Sequence, residues 1–269
     1  MEAHGKSKDK WASGDLYEPY VGRWSKRIAE KFVAWLGVLE GKEWLDVGCG
    51  TGALTSTIME IGSPLSVIGI DPSEGFLQYA RNRVQDERAR FDVGDARAIP
   101  YGDGRFDAVV SGLVLNFVPD TGQAIREMAR VARPGGMVAA YVWDYAEKME
   151  LMRYFWDTAI ELDPNVASLD ESPRFPIARP EALEKAWRDN GMVEVEARGI
   201  DVPTPFRDFD DYWAPFLGGQ GPAPGYAMSL SEEKRGELRE VLRGRLPTEG
   251  DGSIRLIARA WGVRGMKRG

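Results

Sequence analysis

The chain carries one cysteine and one histidine in 269 residues, and these two scarcities remove most soft-ligand and imidazole chemistry at the outset. Cys49 alone builds neither an internal disulfide framework nor a multi-cysteine zinc site, so a reducing, cytoplasmic setting is expected and a metal is not. His4 sits in a polar N-terminal stretch beside Lys6, Lys8 and Lys10. A solvated histidine there leaves the chemistry to proceed without an imidazole base. No apolar run follows that stretch, so it lacks the core of a signal peptide. Nowhere does the sequence approach the ~18 uninterrupted apolar residues of a membrane span. A surplus of positive charge is also missing: Lys+Arg 35 against Asp+Glu 42 leaves −7. A negative net field gains little from a phosphate backbone. Nucleic acid and membrane are therefore not expected partners. The remaining balance, 43% hydrophobic and 29% charged, is that of an ordinary globular protein.

Between residues 26 and 143 short apolar runs alternate with longer helix-like stretches, the pattern of a parallel sheet flanked by helices. Strands are expected at 43–47, 66–70, 90–93, 106–111 and 137–143, with helices at 53–61, 73–85 and 121–132. Pro134, Gly135 and Gly136 read as the stop of the last of these helices. Beyond Trp143 the alternation lapses. Residues 146–178 turn from helical to proline-rich and read as an insertion, and 203–252, rich in Pro, Gly and aromatics before a charged helix, reads as a second. Strands at 192–199 and 253–263 alternate like a half-exposed antiparallel edge. The expected organisation is an N-terminal segment 1–40, a core 41–145, an insertion 146–178, a core helix and late strand 179–202, a second insertion 203–252, and a last strand and tail 253–269.

The chemistry concentrates in Asp46-Val-Gly48-Cys49-Gly50-Thr-Gly52, which follows one expected strand and precedes one expected helix. Glycines there let a backbone approach a ligand closely and aim amide donors at it. A tight strand-to-helix turn without a ligand is the alternative reading. Asp71 follows the second strand, where a carboxylate can accept both hydroxyls of a ribose; a capping role beside Pro72 is compatible with that. Asp95 and Ala96 follow the third strand, where an acidic residue can accept the exocyclic amine of an adenine. The loop spacing is G-x-G-x-G, whereas a dinucleotide pyrophosphate needs G-x-G-x-x-G. Only the adenosine half of such a ligand is left in common.

Taken in order, WLDVGCGTG (44–52), GIDPSEGFL (69–77), DVGDARAIPY (92–101), FDAVVSGLVLNFVPD (106–120) and VARPGGMVAAYVW (131–143) resemble the successive motifs of class I S-adenosylmethionine-dependent methyltransferases. The resemblance is close over residues 41–145, and the insertions match nothing recognisable. It implies an α/β fold: a Rossmann-like, doubly wound seven-stranded sheet of order 3-2-1-4-5-7-6, with a helical cap from the two insertions. It also implies a cofactor, S-adenosyl-L-methionine, leaving as S-adenosyl-L-homocysteine, and no metal. Gly48, Gly50 and Gly52 would receive the methionine part, Cys49 would fill the loop, and Asp46 would support the turn or accept from the ammonium. Asp71 with Pro72 would hold the ribose, Asp95 and Ala96 would face the adenine, and Ser111 to Leu113 would lie beside the sulfonium. Asn116 departs from the family, where related enzymes often carry histidine.

Eighteen of the 28 aromatic residues fall in 11–35, 141–156 and 206–226, outside the cofactor loops. They either fasten extra helices to the core or line an acceptor pocket. Similar families close the cofactor site with an N-terminal segment, which makes Tyr20 and Arg23 cofactor candidates, Arg23 toward a carboxylate. Candidate acceptor residues are Tyr17, Trp24, Asn116, Trp143, Tyr145, Tyr212 and Trp213, with Asn116, Tyr20 and Tyr145 as catalytic candidates. The fourth strand ends in SGLVLNF and offers no Asn/Asp-Pro-Pro-aromatic element for a planar nitrogen. The expected activity is therefore methyl transfer to an oxygen, carbon or alkyl-amine of a small, partly apolar molecule, by a monomer or homodimer. The alternatives are a noncatalytic S-adenosylmethionine-binding protein, or an RNA or protein methyltransferase.

Overall fold

The computed structural model describes residues 23–218 and 221–269, Arg23 by its backbone alone. Seven strands form one sheet: β1 (Glu43–Val47), β2 (Ser66–Asp71), β3 (Ala89–Val93), β4 (Phe106–Gly112), β5 (Ala132–Trp143), β6 (Met192–Phe206) and β7 (Ile254–Lys267). Their order is β3-β2-β1-β4-β5-β7-β6, as the family resemblance implies. Strands β1 to β5 are parallel, and β7 runs antiparallel between β5 and β6. The first, second and fourth strands are almost wholly buried along their length, so both faces of the sheet are covered.

Among the described residues ten α-helices surround it: α1 (Arg23–Leu36), α2 (Ala53–Ile61), α3 (Glu74–Arg83), α4 (Thr121–Val131), α5 (Glu150–Leu162), α6 (Glu171–Arg174), α7 (Pro180–Asp189), α8 (Phe209–Trp213), α9 (Pro222–Ser229) and α10 (Glu232–Arg245). Their starts follow local chemistry. Ser73, Asp120 and Ser231 each accept a hydrogen bond from a first-turn amide of α3, α4 and α10. Helix α1 buries Ile28, Ala29, Phe32 and Leu36, with the Phe32 ring 4.6 Å from that of Tyr141 on β5.

Strands β5 and β6 exceed their expected ranges by the most. Strand β5 begins at Ala132 and runs through Pro134, Gly135 and Gly136, where pairing with β4 shifts register. A bulge accepts the proline that would end a regular ladder. Strand β6 continues to Phe206 because β7 pairs with it all the way to Ile254. The residues of 146–178 and 203–252 meet through aromatics: Phe155 of α5 stacks on Phe216 at 4.4 Å, and Trp156 lies 5.9 Å from Tyr226 of α9. Fully burying a ring such as Phe155 or Phe216 contributes about 1.5–3 kcal/mol, enough to hold short helices that would not form alone.

Chain order places β1, β2 and β3 on one side and β4 and β5 on the other, so direction reverses between β1 and β4. The crevice beyond the carboxyl ends of those two strands is where open α/β sheets take ligands.

Candidate functional site

At the end of β1 the chain turns sharply into α2. The amides of Gly48 and Cys49 both donate to the Ile70 carbonyl, at 2.7 and 2.9 Å, and Gly52 N–H donates to Cys49 O at 2.8 Å. Gly48 has φ +75°, and a Cβ there would lie 2.6 Å from a methyl of Val114. Only glycine satisfies both conditions. Among the described residues nothing lies within 4 Å of where a Cβ at Gly50 would sit. The loop is fastened to β2 by Asp71, whose carboxylate accepts from Gly50 N–H (3.1 Å) and Ser73 N–H (2.9 Å). Burial raises the Asp71 pKa above its ordinary value, against the lowering effect of those two amides.

These residues line one end of a cavity of about 500 Å³, within the range of small-molecule and cofactor sites. Gly48, Cys49, Gly50, Asp46, Asp71 and Pro72 all border it. Asp46 is fully buried; its Oδ2 accepts from the Thr55 hydroxyl at 2.7 Å, and its Oδ1 has no partner among the described residues. Burial pushes the Asp46 carboxyl up to about 7. Cys49 is buried against Gly69 and Phe91, and burial also raises its thiol well above the ordinary value. A thiol held neutral is no nucleophile.

Carboxyls with raised pKa make stability pH-dependent. Asp46 and Glu171 each titrate near 7 when folded, so the folded state binds more protons than the unfolded chain between about pH 4 and 7. Stability of the ligand-free protein is therefore expected to fall as pH rises from 5 to 8. Carboxyls held low, such as Asp86 at about 2, titrate below that window. Thermal unfolding across this range checks it: Asp46→Asn should flatten the slope, and a midpoint that is level or rises with pH in the parent contradicts the assignment.

Asp95 and Ala96 also border the cavity, and the Asp95 carboxylate is gripped by the Arg97 guanidinium at 2.6 Å. Leu113, at φ +61°, borders it where β4 ends. Trp143 and Tyr145 line the opposite, apolar end with Phe117, Tyr141 and Met152. The indole Nε1 of Trp143 is buried without a partner among the described residues.

Several expected residues stand elsewhere. Ser111 is buried and its hydroxyl donates to Val47 O at 2.8 Å, so it fastens β4 to β1 and does not border the cavity. Gly52 packs against Ala80 of α3, where a Cβ would sit 3.1 Å from the Ala80 methyl. Trp24 is buried edge-on against Phe206 with the Arg27 guanidinium 5.4 Å above its ring. Tyr212 is wholly buried and donates its hydroxyl to Leu151 O at 2.9 Å, and Trp213 stacks on Phe209. These three aromatics join secondary elements, the packing alternative of the sequence reading. Asn116 lies on the turn between cavity residues Val114 and Phe117 but is not itself part of the wall. Tyr17 and Tyr20, and the side chain of Arg23, lie outside the described residues.

Glu171 was not singled out by its sequence. It opens α6, is 2% exposed, and borders the apolar end of the cavity. Its Oε2 accepts from the indole N–H of Trp156, while Oε1 has no partner among the described residues. Burial pushes its carboxyl up to about 7. Phe76, Tyr141 and Met152, which also line the cavity, were not among the expected site residues, since their sequence pattern is that of core residues. Among the described residues no group of three His, Cys, Asp or Glu could hold a metal ion, and no helix is long and apolar enough to cross a membrane.

Residues 45–140 match the family model of the methyltransferase domain. The chain is 40% identical over 117 residues to a demethylmenaquinone methyltransferase of Staphylococcus aureus (strain MRSA252), a match covering 43% of this chain and 47% of that one. It thus spans about half the length of the curated relatives it matches. Among solved structures, the fold is similar to a putative methyltransferase from an antibiotic biosynthesis pathway of Anabaena variabilis ATCC 29413 (TM-score 0.61, 17% identity, 89% of this chain and 96% of that one). It is also similar to Haemonchus contortus phosphoethanolamine N-methyltransferase 2 in complex with S-adenosyl-L-methionine (TM-score 0.60, 15% identity, 96% and 58%). Over residues 45–140 the chain thus carries a methyltransferase domain.

Proposed function

We propose that this protein transfers the methyl group of S-adenosylmethionine to a small, partly apolar acceptor, releasing S-adenosylhomocysteine. The observation that carries this reading is one cavity with two unlike ends: a glycine loop flanked by buried carboxylates, and a chamber walled by aromatic and apolar side chains. The residues fit the cofactor. The orphaned Oδ1 of Asp46 is suited to an ammonium group, and the open face of Gly50 leaves room for a chain beside the backbone. A carboxylate offers about four lone-pair sites, and the Asp71 carboxylate uses two on backbone amides, which leaves two for a ribose diol. Asp95 and Ala96 would border the adenine.

When bound, the cofactor supplies a methyl group already activated by a positively charged sulfur. The chain's contribution is then alignment and exclusion of water, which together can account for much of the acceleration of an in-line displacement. Trp143, Tyr145 and Phe117 supply dry walls, and their ring faces suit a cation nearby. No imidazole is needed, in keeping with a chain whose only histidine is His4. A small acceptor is further supported by the −7 balance, unsuited to an RNA surface, and by the name of the partial Staphylococcus relative. A noncatalytic binding protein or a protein methyltransferase are the other readings.

The test pairs binding with product. Calorimetric titration should show S-adenosylhomocysteine binding and no comparable NAD binding. Incubation with methyl-labelled S-adenosylmethionine and a cell extract should place label in the solvent-extractable small-molecule fraction. Label confined to protein or RNA, or binding without turnover against any extract, contradicts the proposal.

A further inference from the structure

Among the residues lining the cavity, Glu171 carries a carboxyl group that the cofactor reading does not use. Glu171 comes from α6, in the stretch between α5 and α7, far in sequence from the glycine loop. Burying a carboxyl costs several kcal/mol unless its oxygens are satisfied. One oxygen is satisfied by Trp156 Nε1–H; the other, Oε1, is orphaned. Tyr145, Met152 and Pro222 line the same cavity. An isolated acceptor in such surroundings complements a single hydrogen-bond donor carried on an apolar body.

Resting on the reading above, we propose that Glu171 is the acceptor-recognition residue: its Oε1 accepts a hydrogen bond from a hydroxyl on a flat, uncharged, otherwise apolar acceptor, and takes that proton during methylation. An uncharged acceptor is favoured because a cation would meet the positive charge of the bound donor. In the step itself the hydroxyl oxygen forms a bond to the methyl carbon, the carbon–sulfur electron pair stays with sulfur, and the proton passes to Glu171 Oε1. A carboxyl that titrates near neutrality is suited to that exchange. The charged groups acting on it are Asp170, which raises its pKa, and Arg174, which lowers it; Arg153 is paired to Asp170 at 2.8 Å.

Substitution by glutamine gives a directed test. Trp156 donates, so the amide of Glu171→Gln must turn its oxygen to Trp156 and present its NH2 to the cavity. The site then offers a donor in place of an acceptor. The probes are 2-naphthol, which carries a hydroxyl, and 2-methoxynaphthalene, which cannot donate. Affinities are read by tryptophan fluorescence with S-adenosylhomocysteine present. The parent should prefer 2-naphthol by about tenfold, the worth of one charge-assisted bond. E171Q should lose or invert that preference while binding S-adenosylhomocysteine like the parent. A second readout needs no variant: the parent's preference should shrink from pH 8 to pH 6 as Oε1 is protonated, a range in which naphthol stays neutral. Retention of the preference by E171Q, a parent indifferent to the hydroxyl, or a pH-independent preference each overturns the proposal. Failure of the parent to bind S-adenosylhomocysteine would instead refute the methyltransferase reading on which it rests.

Discussion

Asp71→Ala is expected to weaken S-adenosylhomocysteine binding by about a hundredfold or more, the largest effect of any single side-chain truncation at the loop. Each hydrogen bond from a ligand hydroxyl to a carboxylate contributes roughly 1.5–3 kcal/mol, and the geometry leaves two such positions on Asp71. A second loss adds to the first. Without the carboxylate, Gly50 N–H and Ser73 N–H lose their acceptor, so the loop that should meet the cofactor is no longer tied to β2. Asp71→Asn separates the two contributions: its amide oxygen can still take one backbone amide, while the ribose contact becomes neutral and partly mismatched. Calorimetry should rank affinity as parent above Asn above Ala, with thermal unfolding of the ligand-free variants measured alongside. If Ala binds within about twofold of the parent, the ribose assignment fails, because even one neutral hydrogen bond is worth more than that.

The parts of this site that could be read in the sequence are those whose chemistry is local. A strand, a run of alternating glycines and a helix announce a loop at residues 48–52, and the turn closes through bonds among near neighbours such as Gly52 N–H to Cys49 O. Asp71 was legible for the same reason, since it stands between a buried apolar strand and a proline. The order of the seven strands came through the succession of motifs and agrees with the structure. What was illegible depends on which way a side chain points. Ser111 and Gly112 adjoin at the end of β4, yet the serine turns to β1 and the glycine lies against the Tyr141 hydroxyl and the cavity. Trp24, Tyr212 and Trp143 look alike as bulky aromatics in a sequence, but only the last reaches the cavity wall. Glu171 could not have been found locally: the partner that leaves its second oxygen orphaned is Trp156, one helix earlier.

Gly48→Ala should abolish measurable cofactor binding and lower the unfolding midpoint, and here two independent costs act on one methyl group. The backbone at residue 48 has φ +75°, where an L-residue with a Cβ is less stable than glycine by roughly 1–2 kcal/mol. The added carbon would also lie 2.6 and 2.7 Å from the two γ-methyls of Val114, well inside contact distance. Overpacking of this kind typically costs about 1–3 kcal/mol when neighbours cannot move. Val114 has little freedom, because it follows Leu113, which is itself in the left-handed region with its amide bonded to Tyr141 O at 2.8 Å. The loop is therefore expected to yield, lengthening the paired bonds of residues 48 and 49 to Ile70 O and moving Gly50 away from Asp71. Gly50→Ala gives the contrast. Its Cβ meets nothing within 4 Å among the described residues, so it should fold nearly as well as the parent apart from the φ cost, and should lose cofactor affinity because the methyl occupies the space left for the ligand. Val114→Ala in the Gly48→Ala background should restore part of the stability by removing the clash. If Gly48→Ala binds S-adenosylhomocysteine like the parent, the tight turn at the end of β1 is not what shapes the cofactor site.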